Sequence, residues 1–192
     1  MEIIKEKDVK LGCLVKILKK GSILVVPTDT VYGIICDAKN KEAIDKIFKI
    51  KKRNRKKPIS IFVKDIKMAK KLAVINKTQG KFLKKAWPGK TIIVLKAREK
   101  FPKGIVSQWG KIGLRMPNYK LLSKILKEFK KPLAQTSANI TGEFTPTTIK
   151  DISKQFEENI YQLDVLVDVG KLSGEPSTVI DLTQSLPRVL RP

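Results

Sequence analysis

The chain has 192 residues, 42% of them hydrophobic, enough to bury a core and within the span of one domain, expected over residues 1–192. It holds no histidine, which removes Ser-His-Asp and Cys-His hydrolases, the usual histidine-containing zinc sites and imidazole acid–base catalysis. Lys plus Arg number 41 against 18 Asp plus Glu, a formal charge of +23 that favours polyanions such as nucleotides or RNA.

Two cysteines, Cys13 and Cys36, are too few for a disulfide framework and point to a reducing interior, so a cytoplasmic protein is expected. No apolar run approaches the roughly 18 residues of a membrane span.

Apolar residues at Val9, Leu11, Leu14, Val15, Ile17 and Leu18 predict a helix over 8–20, stopped by Gly21. Strands are predicted at 22–26 and 31–36, a helix at 41–51 and a strand at 58–63. Helices follow at 66–73 and 77–86, strands at 91–96 and 112–115, and a helix at 119–129 carried by Leu121, Leu122, Ile125, Leu126 and Phe129. Short strands near 132–136, 164–168, 178–182 and 187–190, with a helix near 147–157, complete the pattern. Strands and helices interleave throughout, which predicts an α/β sheet covered by helices.

Pro27-Thr28-Asp29-Thr30-Val31-Tyr32-Gly33 packs three short polar side chains into a turn after a strand. They can hold a small polar substrate, or they can bond the turn's own backbone. Nine of the seventeen residues from Lys41 to Lys57 are basic, ending Lys51-Lys52-Arg53-Asn54-Arg55-Lys56-Lys57, more cations than a helix C-terminus requires and a candidate triphosphate grip. The Gly89-Lys90-Thr91 string is no phosphate loop, because the glycine that such a loop needs five residues earlier is Lys84.

Ser137-Ala138-Asn139 places a hydroxyl and an amide at a strand end, and Thr145-Pro146 predicts a capped helix start whose free backbone donors suit a phosphate or adenosine's polar groups. The six arginines, against 35 lysines among the 41 cations, are Arg53, Arg55, Arg98, Arg115, Arg188 and Arg191. Five of these six fall in these or similarly motif-like segments, where a planar guanidinium can grip carboxylate or phosphate through paired bonds.

Taken in order, Pro27 to Gly33, Lys51-x-Arg53, Trp87-Pro88-Gly89, Gly113-Leu114-Arg115-Met116-Pro117, Ser137-x-Asn139, Ser177-Thr178-Val179-Ile180-Asp181 and Leu190-Arg191-Pro192 resemble the YrdC family of L-threonylcarbamoyladenylate synthases. The resemblance runs from about Ile4 to Pro192 and implies the single-domain form, a twisted open mixed sheet with helices packed on it and a basic concave face. It implies a nucleotidyltransferase that joins L-threonine, carbon dioxide or bicarbonate and ATP with magnesium into threonylcarbamoyl-AMP, for transfer to tRNA by a downstream threonylcarbamoyl-transferase complex.

By the same resemblance Thr30, Arg115, Gln135 and Ser177 touch threonine, with Arg115 gripping its carboxylate. Lys51, Arg53, Lys57, Lys111, Ser137, Asn139, Thr145 and Arg191 line the ATP site, with Lys51 and Arg53 catalytic. The family commonly has histidine where this chain has Phe62, and often proline where it has Asn54. A non-catalytic protein of the same fold that binds tRNA or double-stranded RNA, and a paralogue of the YciO type, are the competing readings.

Overall fold

The computed structural model describes residues 1–172 and 174–192. Its strands are β1 (Glu2–Lys5), β2 (Leu24–Val26), β3 (Gly33–Asp37), β4 (Ser60–Phe62), β5 (Ala73–Val74) and β6 (Thr91–Ala97), followed by β7 (Lys111–Arg115), β8 (Leu133–Ser137), β9 (Val165–Asp168), β10 (Thr178–Asp181) and β11 (Arg188–Arg191). The helices are α1 (Leu11–Lys19), α2 (Lys41–Ile50), α3 (Ile66–Leu72), α4 (Lys77–Ala86), α5 (Lys120–Phe129) and α6 (Ile149–Gln155), with two short 3-10 turns.

All strands join one mixed sheet in the order β1-β9-β2-β3-β8-β4-β7-β6-β10-β11, with β5 added to β6. Successive side chains of a strand point to opposite faces, so each strand feeds two layers. Ile34, Ile61, Ile93, Leu114 and Ala134 pack on one face with the apolar stripes of α2, α3, α4 and α6. Ile35, Phe62, Leu133, Val165 and Val167 pack on the other, under α1 and α5.

Each fully buried Leu, Ile or Phe contributes about 1.5–3 kcal/mol, and α5 alone buries Leu121, Leu122, Ile125, Leu126 and Phe129. The two helices α1 and α5 are too few to cover their face. Gly33, Ser60, Gly113, Gln135 and Ser137 share the parity of that face, and over them the sheet is left open as a cavity.

Several expected boundaries move by a few residues, and two helix starts show why. The helix predicted from 147 with Thr145 as cap begins at Ile149, because the Thr148 side chain accepts the Asp151 N–H. The helix predicted over 8–20 begins at Leu11, behind a 3-10 turn at Glu6–Asp8 and the unexpected strand β1, which pairs in parallel with β9. Among the described residues no helix is long and apolar enough to cross a membrane.

Candidate active site

The cavity on the open face holds about 620 Å³. Its described lining includes five cations, Arg53, Lys111, Arg115, Arg188 and Arg191, against the single acid Asp181. Strand pairing assembles it from distant segments: Gly33 lies opposite Ser137, Ser60 opposite Gln135, and Val94 opposite Gly113. A methyl group on Gly113 would sit 3.2 Å from Ile92 Cγ2 and 3.4 Å from Ser60 Cβ, so the glycine keeps the cavity floor low.

At one end Arg115 is buried to 1% exposure. Its Nε donates to Gly89 O at 3.0 Å, Nη1 to the hydroxyls of Thr30 and Ser177, and Nη2 to Asp29 at 2.5 Å. Burial pulls the pKa of this guanidinium down, Asp29 opposes the shift, and the charge of Arg191 adds to it, which places Arg191 within electrostatic reach.

The turn before β3 does bond its own backbone, and it leaves one hydroxyl turned toward a cation. Thr28 is spent on the turn, donating to Val31 O and accepting from Thr30 N, whereas the Thr30 hydroxyl faces Arg115. The segment around Gly174 lies directly against this turn: a Cβ there would fall 1.7 Å from Thr30 O.

The expected threonine residues Thr30, Arg115 and Ser177 therefore meet in one cluster, whereas Gln135 lines the same cavity with its amide donating to Ser60 Oγ. The simple paired grip expected of Arg115 is not free to form, since these donors are already committed to Asp29, Thr30, Ser177 and Gly89. A carboxylate reaching Nη1 has to compete with, or be shared through, the two hydroxyls.

The other expected residues divide. Arg53, Lys111, Ser137, Asn139, Thr145 and Arg191 line the cavity; Lys51 and Lys57 do not. The cause is the end of α2. Lys52 takes a left-handed conformation (φ 49°), Arg53 N bonds Phe48 O, and Lys52 N bonds Lys49 O, the paired bonds of a Schellman turn. That turn sends Lys51 inward and Arg53 toward the cavity.

Lys51 is 1% exposed, and its ammonium is met by Ser137 O at 2.6 Å, Asn139 O, and Asn139 Oδ1 at 3.2 Å. Burial, then the charge of Arg53, lowers its pKa to about 7. Lys51 thus braces the 137–139 segment from behind, and Ser137 Oγ completes the brace by donating to Asn139 Oδ1.

Arg53 is anchored on Lys57 O and Pro58 O at 2.8 and 3.1 Å, so Lys57 contributes its carbonyl. Burial and the charge of Arg191 lower the Arg53 pKa. Arg191 in turn donates twice to Ser177 O. Among the described residues no acid pairs with either guanidinium, so the cavity carries uncompensated positive charge that favours an anionic ligand.

Lys111 is different: its ammonium pairs with Asp181 at 2.8 Å. Burial raises the Asp181 pKa, but bonds from Lys111 and Thr183 outweigh it and hold the carboxyl below its usual value. Asp29, Asp181 and Trp109 were not expected in these places. The two acids are tied to cations 86 and 70 positions away, and nothing local to Trp109 marks it as a cavity residue.

The Sua5_yciO_yrdC family model, described as "Telomere recombination", matches residues 16–192. A "Putative threonylcarbamoyl-AMP synthase" of Methanocaldococcus jannaschii is 36% identical, over 93% of this chain and 83% of that protein. The crystal structure of Pyrococcus abyssi Sua5 complexed with L-threonine superposes with a TM-score of 0.89 at 29% identity, covering all of this chain and 56% of that one, so the chain spans little more than half the length of that relative. Escherichia coli YciO superposes with a TM-score of 0.87 at 25% identity, over 99% of this chain and 93% of that one. The match along residues 16–192, the shared sheet and the ordered motifs around one basic cavity place this chain in the Sua5/YciO/YrdC family.

Proposed function

We propose that the protein is an L-threonylcarbamoyladenylate synthase, a nucleotidyltransferase acting on L-threonine, bicarbonate or carbon dioxide, and ATP. The observation that carries the reading is the pairing within one cavity of the Thr30–Arg115–Ser177 cluster with the uncompensated Arg53 and Arg191 guanidinium groups. Threonine's amine adds to carbon dioxide and loses a proton to give a carbamate. A carbamate oxygen then bonds the α-phosphorus of ATP as the bond to pyrophosphate breaks.

Neither step needs a protein nucleophile, which suits a chain without histidine. The protein has to bring anions together and meet the charge that grows on the phosphorus and on pyrophosphate. Arg53 and Arg191 supply that charge, and Ser137, Asn139 and Thr145 supply neutral polar groups along the wall. Lys51 keeps Ser137 and Asn139 in place. Thr30, Arg115 and Ser177 orient the amino acid.

Magnesium belongs to this proposal as part of the nucleotide, where it neutralises phosphate oxygens. The carboxylates nearest the cavity, Asp29 and Asp181, are each bound to a cation, and among the described residues no three acids, cysteines or histidines cluster as a metal site. The transfer of the product to tRNA by a separate complex, and contact with tRNA or double-stranded RNA through the lysine-rich surface, extend the same proposal. Diffuse RNA contact is recognised by a steep log-linear loss of affinity with salt.

The test is incubation with threonine, bicarbonate, magnesium and ATP, followed by detection of pyrophosphate and of the adenylate. Threonine-dependent release of pyrophosphate supports the synthase. Its absence from well-folded protein that binds ATP returns the chain to the YciO-type reading, and RNA binding without ATP binding favours the RNA-binding one.

A further inference from the structure

Trp109 is 73% exposed and lines the cavity, yet no step of the proposed reaction uses it. A single exposed aromatic side chain is ordinary. This one stands on a rigid turn: Gly110 N bonds Ser107 O, Ser107 N bonds Lys111 O, Lys111 N bonds Ser107 Oγ, and Gly110 O receives Ala97 N. The backbone that carries the indole is therefore fixed, and the ring stands exposed at the cavity mouth.

Its position along the cavity gives it a role. Lys111, Gly113 and Arg115 share one face of β7, and four residues at about 3.3 Å each put Lys111 about 13 Å from Arg115, with Trp109 further out. Arg115 marks the amino-acid end. At the opposite end Lys111 and Asp181 pair with each other, and Arg188, opposite Asp181 in the β10–β11 register, is an exposed cation at the rim. Arg53 and Arg191 are the uncompensated cations that lie close enough for the charge of one to act on the other, the arrangement that suits phosphates. A ligand whose anionic part lies at Arg53 and Arg191 and whose reacting phosphorus faces the threonine cluster has its remaining, uncharged ring to place. Ile92, Val94 and Val179 provide an aliphatic floor for it and Trp109 a flat aromatic face.

We propose that Trp109 is the stacking platform for the nucleobase of the bound nucleotide, a residue that sets affinity for ATP without contacting the reacting atoms. The proposal rests on the reading of the cavity as an ATP site. Base–aromatic stacking is tolerant of sequence and strong enough to measure: alanine substitution of such a platform weakens binding by about tenfold or more.

The experiment uses the full chain with Trp109→Ala and Trp109→Phe. Expected is a rise of about tenfold or more in the ATP KM for Trp109→Ala, with a much smaller rise for Trp109→Phe, since a phenyl ring preserves stacking. The threonine KM and the inhibition constant of inorganic tripolyphosphate, which has no base, should stay within about twofold of wild type. The chain has two tryptophans, and Trp87 is 5% exposed, so ATP should quench a fluorescence signal that Trp109→Phe removes, while tripolyphosphate should not.

Equal weakening of ATP and tripolyphosphate in Trp109→Ala, or an unchanged ATP KM, overturns the proposal and leaves the synthase reading standing. If wild type releases no pyrophosphate, the synthase reading fails instead. The fluorescence titration then still decides: quenching by ATP but not by tripolyphosphate upholds the platform, and no quenching removes it.

Discussion

Arg115 offers the sharpest test of how the proposed amino-acid end is built. Its side chain is 2% exposed and that of Asp29 10%, with 2.5 Å between Nη2 and Oδ1. Replacing Arg115 with alanine leaves the Asp29 carboxylate in a largely dry site where, among the described residues, the Asn118 N–H at 3.1 Å is the remaining partner. Breaking a buried pair from one side costs about 3–5 kcal/mol. For a chain of this length each kcal/mol lowers Tm by about 2–4 °C, so a fall of about 6–20 °C is expected.

Arg115→Met combined with Asp29→Asn, which removes both charges at similar volume, should recover much of that loss. Thermal unfolding followed by circular dichroism measures all three proteins. On the folded fraction, pyrophosphate release should show a threonine KM raised far more than the ATP KM, because Thr30 and Ser177 lose the donor that orders their hydroxyls. A Tm change within about 2 °C for Arg115→Ala would show that the pair contributes nothing. Equal effects on both KM values would move Arg115 out of the amino-acid end.

Arg53→Lys keeps the charge but cannot hold Lys57 O and Pro58 O while facing a phosphate; a loss of about 10–100-fold in kcat/KM for ATP is expected, and near-normal turnover would reduce Arg53 to a general field. The folded pKa of Lys51, about 7, lies below that of an unfolded lysine near about 10.4, so the unfolded chain binds the extra proton between these values and stability rises with pH there. Urea unfolding of Lys51→Met against wild type should show wild type gaining on the variant across that window and no such trend below it; a pH-independent difference would mean that Lys51 stays protonated. Lys52→Gly relieves a left-handed lysine at φ 49° and should raise stability by about 1 kcal/mol, read as a Tm rise of about 2–4 °C; no gain would mean that the turn holds Lys52 without strain.

Local pattern makes most of the scaffold legible in the sequence. The helix expected at 77–86 is α4 without change, and α5 buries the very five residues whose spacing announces it. Such elements are decided by side chains a few positions apart, which a periodicity reads directly. β1 is not legible, because Glu2–Lys5 is mostly exposed and becomes a strand only by finding the edge of β9. The ordered motifs likewise reveal the family and the residues to suspect, but not the work of each. Lys-x-Arg reads as two equivalent cations until the turn at Lys52 sends one behind the cavity wall and the other into it. The partner of Arg115 lies 86 positions away and that of Lys111 70, and no local rule connects them. Sequence determines which segments form and carry charge; which oxygen each charge meets is settled by burial, since a cation withdrawn from water takes whatever acceptors the packed sheet brings within reach.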